Sequence, residues 1–595
     1  MTNVGNETLP GGSENPEKGG WFGHPAQLAR LFTVEMWERF GYYGMRALLT
    51  LYLADHFLFS DSTTNGLYGA FTSLVYLTPL VGGWIADHYL GSKRSVKLGA
   101  VLMAIGYFIL CFGGQSAKPY AMIDGARYDV TVEQQGGRQI QYITDAGQKL
   151  AIRGNDDGSV ALIAADGEVS QTIAKENFEP GGDRSPLFVG IMLLGLSAVT
   201  VGNGFFKPNI STIVGTLYDR TDRRRDAGFT IFYMGINLGS LLSQFFCPLL
   251  AQYVGWWAGF LLAAFGMVLS WSLMHFDGGR LNGFGEPPAQ RGPDRTKLIY
   301  LCAILAIPLA WLLFNNMMMN AAAAAAAAKG GGFLGYVSSL PILGKVLFGT
   351  FFLSVIAIPI WSWRAGTRAE FQMMMVAMVL VVFNVVFWTL FEQAGSSLTF
   401  FADRNTDRQI GPYLMPAGQV QIFNALFIVI FAPIMSILWL SLARRGLEPS
   451  IPVKFAIALF GAGLGFVVLV YGTTTAGPDF KVALFWVALT YFIHSVSELC
   501  ISPVGLSMIT KLAMARVVGM MMGLWFLSIA VAQYVAGVVA QFASVETVGG
   551  QVTNLKISLD TYAGVFWTIG LIAMGIGVVL LILAPMLKRW MHGVT

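Results

Sequence analysis

The stretch Glu35-Met36-Trp37-Glu38-Arg39-Phe40-Gly41-Tyr42-Tyr43-Gly44-Met45-Arg46 lies inside a long apolar run, where lipid would forbid its charges. At 100° per residue, Glu35, Glu38, Arg39, Tyr42 and Arg46 fall within about 60° either side of one line along a helix. A charge near the bilayer centre costs roughly 2.5–3.5 kcal/mol on insertion scales, so four on one helix require partners or a water-filled cavity. The pattern predicts a transmembrane helix with one charged, solute-facing stripe. An ion-paired stripe that only locks helices together is the competing explanation, disfavoured by the functional bias of intramembrane charges.

Composition carries that reading outward. Of 595 residues, 55% are hydrophobic and 12% charged. The charged fraction is about half the roughly 25% of soluble proteins, and apolar runs recur along nearly the whole chain. The chain therefore reads as an all-α integral membrane protein. A net charge of +4, widely dispersed, gives no argument for nucleic acid. Cys111, Cys247, Cys302 and Cys500 stand alone in apolar runs without CxxC spacing and read as packing residues. Residues 1–24 are polar and Gly-rich and read as a tail, not as a cleavable signal.

Apolar segments of spanning length lie at about 28–54, 66–86, 96–115, 187–206, 229–252, 257–275, 297–316, 342–363, 373–401, 418–442, 453–472, 481–508, 517–541 and 562–587. Basic residues fall in alternate loops: Lys93, Arg94 and Lys97; Arg220, Arg223, Arg224 and Arg225; Arg364 and Arg368; Arg444 and Arg445; Lys511 and Arg516; Lys588 and Arg589. The opposite loops, around Asp55–Asp61, Asp403–Arg408, Asp479 and Glu546–Asp560, are mixed or acidic. The positive-inside rule then puts both termini in the cytoplasm, in keeping with an even number of crossings.

Residues 116–185 break the pattern. Arg127–Glu133 and Gln139–Ile143 alternate apolar and polar residues, and Gly158–Ile163 adds a third strand candidate after a turn-like Gly154–Asp157. A small β-rich external insert is expected, more a tolerated surface insertion than a binding module. The eight alanines between Asn315 and Gly332 fit an Ala-rich loop and carry no functional reading. The spans flanking them lack intramembrane charge and look peripheral.

Further ionisable residues stand alone in apolar context: Lys207 in Gly202–Asn209, Glu392 in Trp388–Ser397 and Glu498 one turn after His494. Glu35, Glu38, Glu392 and Glu498 set against Arg39, Arg46 and Lys207 leave one surplus acid, able to hold or release a proton as pairs exchange. His494 reads as hydrogen-bonded packing. Asp87, among Gly82, Gly83, Gly91, Lys93 and Arg94, suits either a latch between sliding helix ends or a plain capped turn. No nucleophile–base set and no HExxH spacing supports an intramembrane enzyme.

Taken together these segments resemble the proton-coupled oligopeptide transporter family of the major facilitator superfamily. Glu35-x-x-Glu38-Arg39-Phe40-x-Tyr42-Tyr43-Gly44 is similar to its first-helix signature, and Gly83–Arg94 to the superfamily's loop signature. Phe229–Leu241, Glu498–Ser507 and Trp525–Ser528 resemble its fifth, tenth and eleventh helices. The resemblance implies a major facilitator fold: two six-helix bundles plus two extra linker helices, fourteen transmembrane helices in all, with the β-rich insert outside the common core. The implied division is a tail at 1–24, an N-terminal bundle at 25–275 interrupted by the insert at 116–185, a linker at 276–370 and a C-terminal bundle at 371–595.

The implied function is a proton-coupled symporter importing di- and tripeptides by alternating access, in a bacterial inner membrane, as a monomer, without cofactor. A same-fold transporter of nitrate or another small metabolite is the alternative. Arg46 and Lys207 would attract the peptide carboxylate and Glu498 its amino group, in a cavity lined by Tyr42, Tyr76, Asn237, Trp388, Asn424 and Trp525. Proton coupling would fall to Glu35, Glu38, Arg39, Lys207 and Glu392, with gating by the Arg46–Glu392 pair and by Asp87. Tyr76 on the second helix argues against a His-based proton site there.

Overall fold

The computed structural model describes residues 20–594 apart from 136–137, 220, 221, 223, 288–293 and 331–337. Arg220, Arg223, Gly332 and most of the expected tail lie outside the described residues. Six long helices come first: α1 (Ala26–Leu51), α2 (Asp61–Ile85), α3 (Ser92–Leu110), α4 (Pro186–Thr216), α5 (Arg225–Tyr253) and α6 (Trp256–His275). They pack on one another, α1 against α5 and α6, α3 against α4 and α6. Two helices follow, α7 (Thr296–Gly330) and α8 (Ile342–Ala365). The last group is α9 (Arg368–Phe391), a short α10 (Ser397–Arg404), α11 (Ile422–Arg444), α12 (Ile451–Thr473), α13 (Leu484–Leu512), α14 (Val518–Phe542) and α15 (Leu555–Trp590). Leaving aside α10, fourteen helices among the described residues have spanning length.

Twelve of the fourteen are long and apolar enough to cross a membrane by those measures alone. The other two, α1 and α3, are held back by their charges: Glu35, Glu38, Arg39 and Arg46 on α1, and Lys93, Arg94 and Lys97 on α3. Those of α1 point into protein, where each is at most 6% exposed. The residues that make α1 poor as a lipid-facing helix are therefore those that the fold encloses.

Two expectations are corrected. The alanine run Ala321–Ala328 is no loop but continues α7, as the best helix former should when nothing stops it. The span expected at 373–401 is not one helix. It breaks after Phe391 into a 3-10 turn, Glu392–Gly395, before α10. The carbonyls freed there find donors: Thr50 donates to Gly395 (2.5 Å), Thr399 to Ala394 (2.8 Å) and Tyr491 to Ala394 (3.4 Å). Broken helices survive at membrane depth only with such replacement partners.

The two helix groups close against each other on one side. There α2 and α14 touch through backbone: a Cβ on Gly69 would lie 2.9 Å from the Gly537 Cα. On the other side of α2, a Cβ on Gly82 would lie 2.0 Å from the Gly204 carbonyl oxygen, so α4 approaches through glycine as well.

The insert is a single antiparallel sheet of seven strands: β1 (Lys118–Ile123), β2 (Ala126–Gln135), β3 (Arg138–Asp145), β4 (Gln148–Gly154), β5 (Val160–Ile163), β6 (Val169–Ile173) and β7 (Phe178–Asp183). Their order is β6-β5-β4-β3-β2-β1-β7. Sequence alternation found β2, β3 and β5. It missed β1 and β4, and also β7, whose Pro180, Gly181 and Gly182 hide the pattern, and β6, which is exposed except at Ile173.

Candidate functional site

A cavity of about 270 Å³ lies between the two helix groups. From α1 it takes Glu35, Arg39 and Arg46; Tyr76 comes from α2, Lys207 from α4 and Asn237 from α5. The later helices bring Trp388 and Glu392 from the end of α9, Asn424 from α11 and Glu498 from α13. Ten residues separated by most of the chain thus meet in one space.

Three others do not reach it. Tyr42 is fully buried behind the wall, with the Arg39 guanidinium 5.4 Å from its ring. Trp525 packs over Gly505, where a Cβ would sit 2.2 Å from the indole. Glu38 is fully buried and accepts from Arg39 Nη2 at 2.8 Å. For the first two this corrects the expected lining: helical periodicity fixes the angular position of a side chain but not how far a neighbouring helix screens it. Asp87 is exposed and enters no ion pair among the described residues. Lys93 in the same turn pairs instead with Asp277 (2.9 Å) and Glu286 (3.1 Å).

The electrostatics divide into three parts. Arg39 holds Glu38 and reaches Glu35 Oε1 at 3.2 Å, while Glu35 Oε2 has no hydrogen-bond partner among the described residues. Arg46 pairs with Glu392 across the interface and donates through Nε to the Tyr68 hydroxyl at 2.6 Å. Lys207 and Glu498 enter no ion pair among the described residues. The Lys207 ammonium sits 4.0 Å from the Tyr76 ring centroid, and Glu498 accepts from Asn424 Nδ2 at 3.3 Å. One unpaired cation from the first helix group and one unpaired carboxylate from the second therefore line the same cavity.

The cavity is closed at its Arg46 end. Beyond that pair, Arg404 binds Asp61 with two hydrogen bonds (2.6 and 2.7 Å), Val545 N donates to Asp61 (2.9 Å), and Gln541 Nε2 donates to the Ser62 carbonyl (2.8 Å). At the other end Tyr233 is 37% exposed and Ser502 is open, on the side of the basic loops at Arg224–Arg225 and Lys511–Arg516.

Sequence reading missed part of the lining. Tyr233, Ser240 and Gln244 face the cavity from α5 beside the expected Asn237, and their spacing is a polar stripe on one helical face that the apolar surroundings masked. His494 is buried and hydrogen-bonds the Ala462 carbonyl at 2.9 Å, as a packing histidine should. Asp61 and Arg404 stood in separate external loops, with nothing local to pair them. Among the described residues there is no cluster of metal-ligating side chains, and the four cysteines are unpaired.

A family model described as the POT family matches residues 93–555. The uncharacterized transporter YclF of Bacillus subtilis is 30% identical over the full length of both chains. Dipeptide and tripeptide permease A of Escherichia coli K12 is 28% identical, over 96% of this chain and 94% of the relative. Among solved structures, the peptide transporter POT in complex with sulfate superposes with a TM-score of 0.70 at 29% identity over 97% of each chain. A POT family transporter in complex with 5-aminolevulinic acid gives 0.68 at 26% identity, over 96% of this chain and 98% of the other. With the fold, the interbundle cavity and these matches in agreement, the chain belongs to the POT family.

Proposed function

We propose that this protein is a proton-coupled symporter that imports di- and tripeptides by alternating access. The observation that carries the reading is that Lys207 on one bundle and Glu498 on the other, neither in an ion pair among the described residues, line one cavity between the bundles. Every di- or tripeptide has a carboxylate and an ammonium at its ends whatever its side chains, so two fixed opposite charges recognise the class. Binding both ends draws the bundles together. Nitrate, the alternative cargo, has no cation for Glu498 to hold.

Arg46 adds to the carboxylate end once it is released from Glu392. Glu35, Glu38 and Arg39 form the proton store: a carboxylate that takes a proton frees Arg39, and Lys207 with it, to rearrange. The closed Arg46 end and the open Ser502 end make this an inward-facing arrangement, with Arg46–Glu392 as the external gate and Asp87 in the cytoplasmic loop region. The basic loops and the bacterial permease relatives support a bacterial inner membrane with both termini cytoplasmic. Each chain holds a complete cavity, so a monomer suffices, and no cofactor is needed beyond the proton.

The test is uptake of a labelled dipeptide by the purified protein in liposomes, with and without an inward proton gradient. Accumulation above the bath concentration only with the gradient is expected. Equal uptake under both conditions removes the coupling, and no uptake of any dipeptide removes the substrate class.

A further inference from the structure

The loop between α14 and α15 docks on the β-sheet insert. Val548 completes the buried face of the sheet beside Val130 and Leu162. Gly154 N donates to the Thr553 carbonyl (3.1 Å), Asn554 Nδ2 donates back to the Gly154 carbonyl (3.1 Å), and Lys556 Nζ binds Asp156 (2.5 Å). The insert is tethered to the first bundle between α3 and α4, whereas this loop belongs to the second. Their seam crosses the external junction of the two bundles.

A cavity of about 320 Å³ opens in that seam, sharing no lining residue with the central one. Its walls come from the α1–α2 turn, the end of β7 and residues 545–550. Two charged side chains face it, Arg184 from the first bundle and Glu546 from the second. Arg184 stacks on Phe59 at 4.7 Å and donates through Nε to the Gly182 carbonyl at 3.3 Å. Neither charge enters an ion pair among the described residues, with the other or with a neighbour. Both are half-buried. Burial pulls the Arg184 guanidinium below its ordinary value and pushes the Glu546 carboxyl up, with Lys175 only partly offsetting the latter.

A partly desolvated charge outside any ion pair is costly, and two of opposite sign on the walls of one cavity are relieved together by a ligand charged oppositely at its two ends. Ligand pockets run from roughly 300 to 1,000 Å³, so this one suits a small molecule. We infer that the seam is a second, external binding site for a small zwitterion, an amino acid or a dipeptide, with its carboxylate on Arg184 and its ammonium on Glu546. Because the walls belong to different bundles, the complete site exists only while the external side is closed. Occupancy therefore favours the closed arrangement, by as much as the ligand prefers it.

Hydrogen–deuterium exchange on the purified full-length protein in lipid nanodiscs tests this, with Ala-Ala as the probe. At ten times its dissociation constant the dipeptide should slow exchange of residues 178–184 and 543–553 by about tenfold. Arg184→Gln and Glu546→Gln should each abolish the protection, Arg184→Lys should keep part of it, and N-acetyl-Ala-Ala-amide should give none. The protection should survive Glu498→Gln, which separates this site from the central cavity: a wild-type protein that shows seam protection but takes up no dipeptide counts against the transport reading alone. No protection in the wild type, protection unchanged in both Gln variants, or protection abolished by Glu498→Gln overturns the proposal.

Discussion

Arg46 on α1 and Glu392 at the broken end of α9 form an ion pair between the two bundles with both side chains buried. The pair lies at the inner end of a closed column that continues outward through Tyr68, Thr50–Gly395 and Asp61–Arg404. A buried pair of this kind adds little net stability against an apolar substitute, but breaking it from one side costs about 3–5 kcal/mol. It therefore serves better as a switch than as a strut.

Glu392→Gln should expose that switch. Arg46 is left as an uncompensated charge in the closed state, and the equilibrium moves toward externally open forms. Spin labels at positions 62 and 544, whose hydroxyls lie 3.2 Å apart here, should report a new long-distance population, and proton-driven uptake should fall at least about tenfold. An unchanged distance distribution would remove the pair from gating.

In the proton store, Glu35→Gln or Glu38→Gln mimics the protonated carboxyl permanently. Concentrative uptake driven by a proton gradient should disappear, while peptide-driven counterflow, which needs no net proton movement, persists in part. Glu35 is the more informative position, because its Oε2 is left unpartnered while Arg39 is committed to Glu38. Full concentrative uptake in both variants would place coupling elsewhere.

Much of this was legible in the residues, and what was not has a physical reason. Charges such as Lys207 and Glu498 stand out in an apolar run because lipid makes them costly. Tyr42 shares a face with true lining residues, yet neighbouring helices screen it, a distance effect that periodicity does not encode; Trp525 stands on α14, none of whose residues lines the cavity. The break at Glu392 was hidden because the donors that permit it, Thr50 and Tyr491, come from other helices. The Asp61–Arg404 pair joins positions separated by most of the chain. The docking of Val548 on the sheet is equally non-local, since that residue lies far from the insert in sequence.

The α2–α14 contact predicts a steric lock. With backbone facing backbone at Gly69 and Gly537, a side chain at Gly69 has nowhere to turn. Gly69→Leu should hold the two helices apart, with an overpacking penalty of about 1–3 kcal/mol on the closed state. A cysteine placed at Ser62 should then react faster with a membrane-impermeant maleimide added outside, and uptake should fall. Unaltered labelling would show that closure does not depend on this crossing.

The insert should be dispensable for transport itself. Lys118 and Asp183 are paired across β1 and β7, so a short Gly/Ser linker can join the chain where the sheet leaves the bundle. All residues of the central cavity lie elsewhere, and uptake should stay within about threefold of wild type. In the intact protein, hydrogen bonds from Lys556 and Asn554 hold the Asp156 carboxyl below the usual carboxylate range. A depressed carboxyl contributes its stabilisation above its unfolded pKa and loses it only as pH falls through the folded value. Docking of the insert, followed by exchange at residues 553–556, should thus be constant between about pH 5 and 8. A sharp loss of protection near pH 6 would assign the contact to a different group.

The central cavity predicts a double-mutant relationship between ligand and protein. Glu498 should hold the peptide ammonium, so Glu498→Gln weakens a free dipeptide by the cost of leaving that charge in a low-dielectric site without its partner, about 3–5 kcal/mol if fully desolvated. An N-acetylated dipeptide has no ammonium to lose and should be affected far less. The two ligands on the two proteins form a cycle whose coupling energy isolates the ammonium–carboxylate contact from general damage to the cavity. Lys207→Gln should give the mirror result, with a C-terminal amide as the insensitive ligand. Competition for uptake of a labelled dipeptide measures all four combinations in each cycle. If acetylation weakens binding equally in wild type and Glu498→Gln, the coupling is zero and the amino terminus is held by another group.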